Sequence, residues 1–173
     1  CEGEPSLAAD AIAAAERLIR AETKRGQINI NTNAGYTEGI RKIVDAGLDS
    51  MRVSIISAIE ESYAAYYRSN YTLADVKASI RYALSHGVYV SLNMLFFPGF
   101  NDRAEELEAW RGFFRELPVN MVQVRNLNVD PDAFLEIMPE ARGEAIGARE
   151  FLERLKREFP QLVIGSFSHY VED

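Results

Sequence analysis

The sequence predicts an α/β fold: a full or partial (βα) TIM-like barrel, a parallel sheet with helices on its outer face. Three observations predict it. Segments with helical periodicity alternate with short β-rich runs along nearly the whole chain. The connections between them are a few residues long, as in βα units with right-handed crossovers. And successive β-rich runs carry their polar residues on one side only. At 173 residues and 47% hydrophobic content, the chain is one domain's worth with enough apolar material for a core.

Residues 6–24 (SLAADAIAAAERLIRAETK) carry apolar positions at helical spacing, with Pro5 ahead and Gly26 beyond the end. ININTN (28–33) reads as a strand. YTEGIRKIVDAG (36–47) reads as a helix with Thr37 as N-cap and Gly47 as its stop. DSMRVSII (49–56) is the next strand, and 59–69 a short helical insertion. TLADVKASIRYALSHG (72–87) runs from an N-capping Thr72 to a terminating Gly87. VYVSLNMLFF (88–97) is the strongest strand, stopped by Pro98-Gly99. NDRAEELEAWRGFFREL (101–117) places Leu107, Trp110, Phe113, Phe114 and Leu117 on one stripe behind an acidic first turn. NMVQVRNLN (120–128) is a further strand. Beyond Pro131 the pattern loosens, then a helix near 143–158 leads to a last strand over QLVIGSFS (161–168). The expected organisation is a core over 1–130 and a C-terminal extension with helix and strand over 131–173.

The strands break a rule. A parallel sheet buried on both faces reads as near-continuous Val, Ile and Leu. Here Met51, Val53 and Ile55 oppose Arg52 and Ser54, and Val88, Val90, Leu92, Met94 and Phe96 oppose Tyr89, Ser91, Asn93 and Leu95. Met121, Gln123, Arg125 and Leu127 oppose Val122, Val124 and Asn126, and ININTN alternates Ile with Asn. The apolar side suits outer helices; the polar side suits a barrel interior, where amides and a guanidinium need a ligand, water or each other. A hydrogen-bond network without a ligand is the competing reading.

Composition narrows the function. A net charge of -7, from 26 acids and 19 bases, argues against a nucleic-acid binder. No apolar stretch approaches a membrane span. One cysteine excludes an internal disulfide or a multi-cysteine metal site built from this chain alone, and a reducing, cytoplasmic setting is the simplest expectation. His86 and His169 form no metal pair, and no metal ligands are assigned. The opening CEGEP is abrupt, as though excised from something longer.

CEGEP resembles the loop, usually GGEP, that follows the second strand in the radical S-adenosylmethionine (radical SAM) superfamily. NTNAG (31–35) is similar to the Thr-Asn-Gly ending of that family's third strand, and LNMLFFPGFND (92–102) to its fifth strand and following turn. The order and spacing of these motifs across consecutive βα units carry the resemblance, closest to activating-enzyme-like members. It implies a (βα)6 partial barrel of which this chain supplies strands three to six, missing the first strands. It also implies S-adenosylmethionine and a [4Fe–4S] cluster held by a CxxxCxxC loop, with reductive cleavage to a 5′-deoxyadenosyl radical. This sequence has no CxxxCxxC. The resemblance therefore implies an enzyme for the intact parent and inactivity, with neither group bound, for this chain alone.

Residue by residue, the resemblance places Glu2, Gly3, Glu4 and Pro5 in the loop whose backbone meets the methionyl amine, with Glu2 in place of the usual Gly. Asn31 and Asn33 border the adenosyl or substrate space. Arg52 and Ser54 fall where the family holds ribose or carboxylate, Asn93 projects from strand five, and Gly99 lies in the turn near adenine. Gln123 and Arg125 complete the rim, Arg125 suiting a substrate carboxylate. Cys1 falls outside the cluster loop and reads as a small buried thiol. Two other functions stay open: a fragment of an aldolase or lyase barrel, though no inward lysine or His/Glu set appears, and a non-catalytic binding or scaffold module. The substrate, small molecule or protein, is unassigned. The strand at 28–33 is expected to be an exposed edge or to pair with a second copy.

Overall fold

Five parallel strands lie side by side in sequence order in the computed structural model, which describes residues 3–165. They are β1 (Asn29–Thr32), β2 (Ser50–Ile55), β3 (Tyr89–Phe96), β4 (Met121–Asn126) and β5 (Val163–Ile164). Helix α1 (Ala9–Glu22) precedes β1, and α2 (Thr37–Gly47) links β1 to β2. The pair α3 (Glu60–Tyr67) and α4 (Leu73–Ser85) leads to β3, and α5 (Ala104–Glu116) to β4. Then α6 (Pro131–Ile137) and α7 (Ala148–Glu158) lead to β5. An unbroken 1-2-3-4-5 order with crossovers of one hand puts every helix on the same face, which is an arc of barrel rather than a doubly wound sheet. The expected fold class holds.

Burial follows the alternation. Met51, Val53, Ile55, Val90, Leu92, Met94, Phe96 and Val122 are buried under the helices. With Trp110, Phe113 and Phe114 from α5 and Phe151 and Leu155 from α7, they form one core. Fully burying each such side chain contributes about 1.5–3 kcal/mol. A second, smaller cluster at the C-terminal end of the sheet gathers Ile56, Phe100, Phe134 and Met138, with Tyr66, Tyr67 and Phe97 packed against it.

Four local expectations are corrected. Thr37 is not the cap of α2: Tyr36 holds that position, while the Thr37 hydroxyl donates to Asp75 O at 3.1 Å and ties α2 to α4. The first helix opens as a 3-10 turn, Pro5–Ala8, and becomes α-helical only at Ala9. Helix α5 starts at Ala104 rather than Asn101, because Asn101 and Asp102 spend their side chains on the preceding turn. And α6 was not expected; Asp130 caps it, accepting from Ala133 N at 3.0 Å, with Pro131 in its first turn. Thr72 does cap α4, in a reciprocal capping box with Asp75. Of the last predicted strand, only Val163–Ile164 is a strand among the described residues; 166–168 lie outside them, as do Cys1, Glu2 and His169.

β1 is an edge strand. Its C-terminal end is held by Glu4, whose carboxylate accepts from Ser6 N (3.0 Å), Asn33 N (2.8 Å) and the Thr32 hydroxyl. Close packing behind it requires Gly39: a Cβ there would lie 2.2 Å from Ser6 O.

Candidate functional site

The strand register stacks the polar side chains of the inner face into rows. Asn31, Arg52 and Ser91 are neighbours across β1, β2 and β3. One step toward the C-terminal ends, Ser54, Asn93 and Gln123 are neighbours across β2, β3 and β4, and Arg125 lies beside Leu95 in the next row. Because the period of a strand is two, one apolar-out pattern in each of four strands suffices to build this face.

Six of the expected residues come together around one hollow of ≈ 220 Å³: Asn31, Arg52, Ser54, Asn93, Gln123 and Arg125. The Asn93 amide donates to Ser54 Oγ at 3.2 Å. Its Oδ1 is buried with no hydrogen-bond partner among the described residues, and so is Arg52 Nε. A network closed on itself leaves no such atoms, since each carries a desolvation cost of about 1–3 kcal/mol. The inner face is therefore not self-satisfied.

The other expected residues lie elsewhere. Asn33 accepts from Gly35 N at 2.9 Å and serves the turn after β1, where Ala34 takes a positive φ of 58°. Gly3, Glu4 and Pro5 form the start of the described chain beside that turn, Glu4 bracing it through its side chain. Gly99 is exposed in the turn after β3, with φ +87° and its N–H donated to Asp102 Oδ1 at 2.6 Å. None of these five lines the hollow. Glu2 lies outside the described residues.

Sequence reasoning missed three features. A second hollow of ≈ 140 Å³ adjoins the first toward the strands' N-terminal ends, between Gln27, Asn29, Ser50, Tyr89, Ser91 and Met121, with Arg52 on its wall as well. The same period-two alternation that picked out Arg52 and Asn93 also marks Asn29, Ser50, Tyr89 and Ser91. Tyr67 reaches over from α3 to donate to Ser54 O at 3.0 Å, and burial among Tyr63 and Tyr66 drives its phenol pKa up. Finally, Glu106 is buried under the loop after β2. It accepts from Ser57 Oγ at 2.6 Å, and burial raises its carboxyl to about 7. Asn101 Nδ2, donating to Ile56 O at 2.7 Å, pins the loop after β3 to the same place. Only tertiary packing brings these residues together, and nothing local in the sequence announces it.

No Asp or Glu among the described residues lines either hollow. Among the described residues, no group of three or more His, Cys, Asp or Glu side chains could hold a metal ion. None of the described helices is long and apolar enough to cross a membrane.

Residues 1–110 match the family model of the radical SAM superfamily. The chain belongs to that superfamily. By sequence, no curated protein matches it. Solved structures share its fold at low identity. A domain of pyruvate-formate lyase-activating enzyme from Bacteroides vulgatus superposes with a TM-score of 0.66 at 11% identity, over 96% of this chain and 96% of that one. SuiB of Streptococcus suis, bound to S-adenosylmethionine, gives 0.60 at 13% identity over 96% of this chain and 38% of its own. Methylornithine synthase, PylB, gives 0.57 at 16% over 90% and 44%. The chain thus spans nearly all of the first solved domain and under half the length of the other two chains.

The single cysteine fits poorly with a [4Fe–4S] cluster. Leaving one iron open takes three thiolates, and the chain carries one, Cys1. The polar hollow, by contrast, suits S-adenosylmethionine, whose ribose hydroxyls, ammonium and carboxylate can meet its amides, hydroxyl and guanidinium groups.

Proposed function

We propose that this chain is the cofactor- and substrate-holding part of a cytoplasmic radical SAM enzyme, inactive until residues outside the 173 supply the cluster. The observation that carries the reading is the pair of buried, unpartnered atoms, Arg52 Nε and Asn93 Oδ1, on the inner face of a sheet with the family's order. Ser54, Asn93 and Gln123 would hold S-adenosylmethionine at the C-terminal side of the hollow, with the Gly3–Pro5 loop and Asn31 beside it. When bound next to a reduced cluster, that cofactor supplies a 5′-deoxyadenosyl radical. The chain's own residues bind, orient and screen it from water; Tyr67 fixes the β2 end from above. SuiB, a solved structure of the same fold, is bound to S-adenosylmethionine, which supports that molecule as the cofactor.

The flank at β1 fits this proposal. Its edge is unpaired by any further described strand, and α1 beside it leaves Leu7, Leu18 and Ile19 exposed. A preceding strand–helix unit of the parent would pair with that edge and cover those side chains.

Calorimetric titration of S-adenosylmethionine into the chain tests the reading. Saturable binding is expected, weakened about tenfold or more in Asn93→Ala, which removes a buried hydrogen-bonding group. The chain should also stay colourless after iron–sulfide reconstitution. Lack of any binding, or a visible cluster band proportional to protein, contradicts the proposal. A non-catalytic binding module is the second reading, favoured by the single cysteine. A parent reading frame without CxxxCxxC upstream would decide for it.

A further inference from the structure

We infer that α6 is a lid: it opens locally, between fixed points at residues 127 and 142, and closes over the occupant of the hollow, with Phe134 as its latch. The occupant is S-adenosylmethionine, so the closure rests on the proposed function; the opening does not.

The smaller apolar cluster lies against the inner face of the sheet, apart from the core under the outer helices. On β3, Leu95 follows Asn93 on the inner face, and by the same alternation Leu127 follows Arg125 past the end of β4. Both leucines pack against the cluster that holds Phe134 and Met138. The apolar contacts of α6 therefore begin in the row directly beyond Ser54, Asn93 and Gln123, at the C-terminal ends of the strands. Barrels of βα units admit their ligands at that end.

Little holds α6 there. It buries one side chain, Phe134, with Met138 one turn on. The Phe134 ring stacks on Phe97 at 4.4 Å and meets Phe100 edge-on at 5.4 Å and Tyr66 at 6.3 Å. Leu135, the next residue, is 55% exposed. Among the described residues, the hydrogen bonds of 128–141 stay within that segment: Phe134 N and Met138 N donate to Asp130 O and Phe134 O, and Ala133 N to the Asp130 carboxylate. The flanks, by contrast, are fastened. Leu127 N donates to Phe96 O at 2.9 Å. Arg142 N donates to the Glu105 carboxylate at 2.6 Å, the Arg103 guanidinium to Gly143 O, and Ile146 N to Asp102 O at 2.9 Å. A short helix tied at both ends, seated by one aromatic ring and free of hydrogen bonds to the scaffold, lifts without unfolding the sheet beneath it. Closed over a ligand, such an element keeps water out.

Hydrogen exchange of backbone amides, resolved by residue in proton–nitrogen spectra, tests this. In the ligand-free chain the Phe134 and Met138 amides should be about a hundredfold or more less protected than interior amides of α5, at a level that low urea leaves unchanged, which marks local opening. Phe134→Ala should speed the α6 amides by about tenfold, and Phe134→Leu, which keeps the plug but not the ring stack, by less. Both should leave α5 protection intact, which checks the fold. Leu135→Ala, on the outward side, should change exchange by less than about threefold. Saturating S-adenosylmethionine should slow the α6 amides of the wild-type chain by about tenfold, since it stabilises the closed form. Exchange of α6 only through global unfolding, with the urea dependence of α5, overturns the inference. So does a Phe134→Ala chain that exchanges as the wild type does, or a Leu135→Ala effect of equal size. Cofactor binding that leaves α6 exchange unchanged overturns the closure and leaves the proposed function standing. Absence of cofactor binding defeats the proposed function and the closure with it, while the ligand-free rates still decide whether α6 opens.

Discussion

Helices α5 and α1 are nearly equal in length and sit on the same face of the sheet, yet they are built in opposite senses. α5 hides Leu107, Trp110, Phe113 and Phe114. α1 hides Ala9, Ala13 and Glu16, with Glu16 only 2% exposed, and shows Leu18 at 70% and Ile19 at 45%. α5 has α7 beside it: Phe114 meets Phe159 at a ring separation of 5.6 Å, and Arg111 pairs with Glu158. α1 packs on α2 and the Pro5–Ala8 turn and is tied to the sheet by the Arg20–Asp49 pair, whose carboxylate also takes Ile28 N at 2.6 Å. An interior helix spends its apolar residues on its own sheet. The helix beside the edge strand keeps part of them outward, as the proposed preceding unit would require.

The largest test of that contrast is a pair of truncations. Trp110→Ala should cost about 3–5 kcal/mol in urea unfolding, as large aromatic deletions in full cores do. Leu18→Ala should change stability by no more than about 0.5 kcal/mol in the isolated chain. Equal losses at the two positions would show that α1 is already covered and that the flank is complete.

Next comes pH. Burial raises both Glu16, on α1, and Glu106, on α5, to about 7, against an ordinary carboxyl of 4.5. Below 4.5 both states of the protein hold these protons. As pH rises toward 7 the unfolded chain releases them first, so stability falls across that window and levels off above it. Glu106→Gln keeps an acceptor for Ser57 and should flatten part of the slope, gaining on the order of 2 kcal/mol at pH 8. Glu16→Gln should do the same on the other flank, by less where Arg20 already offsets the charge. Unfolding curves at pH 4.5 and 8 decide it; parallel pH profiles for wild type and both variants would refute buried titration at either site.

The third test concerns association. With the flank uncovered, the isolated chain should self-associate with rising concentration, through β1 and the apolar side of α1. Leu18→Glu with Ile19→Glu should weaken this by roughly tenfold in sedimentation equilibrium, about 1–2 kcal/mol for two partly exposed aliphatic groups. A chain that stays monomeric at high concentration, or a variant that associates as before, would mean that the outward leucine and isoleucine are incidental surface.

Much of this was legible because it depends on period. Alternation in DSMRVSII and VYVSLNMLFF fixes which residues face inward, so Arg52, Ser54 and Asn93 could be placed on one side of neighbouring strands before any coordinates. Where a side chain turns back to serve the chain itself, alternation fails: Asn33 continues the Asn29–Asn31 series in sequence but closes the turn at Gly35. The helical stripe of α5 was equally plain. The inversion of α1 was not, since an Ala-rich helix with a few leucines reads the same whichever face is buried, and only the packed fold shows which face the described residues cover. Helix α6 escaped because seven residues make too few turns for a period to show. Ser57–Glu106 joins residues 49 apart, and no spacing rule predicts such a pair.

The smallest effect is also the most diagnostic of sign. Arg111, on the outer face, is met by Glu108 and Glu158. Arg52, on the inner face, has a buried Nε met by nothing. Both are half-buried guanidinium groups, so Met substitution removes comparable charge and keeps comparable apolar length. Arg111→Met should lose up to about 1 kcal/mol, the usual worth of a well-placed exposed ion pair. Arg52→Met should instead gain roughly 0.5–1 kcal/mol in the ligand-free chain, because it removes a desolvated donor without breaking any bond, discounted for the solvent that reaches the rest of the group. The gain should vanish, or reverse, once S-adenosylmethionine is present, since the wild-type chain is then stabilised by binding. Opposite signs in thermal melts, with that reversal, identify an inner face holding charge in readiness for a ligand; losses of the same sign at both arginines would make Arg52 one more structural cation.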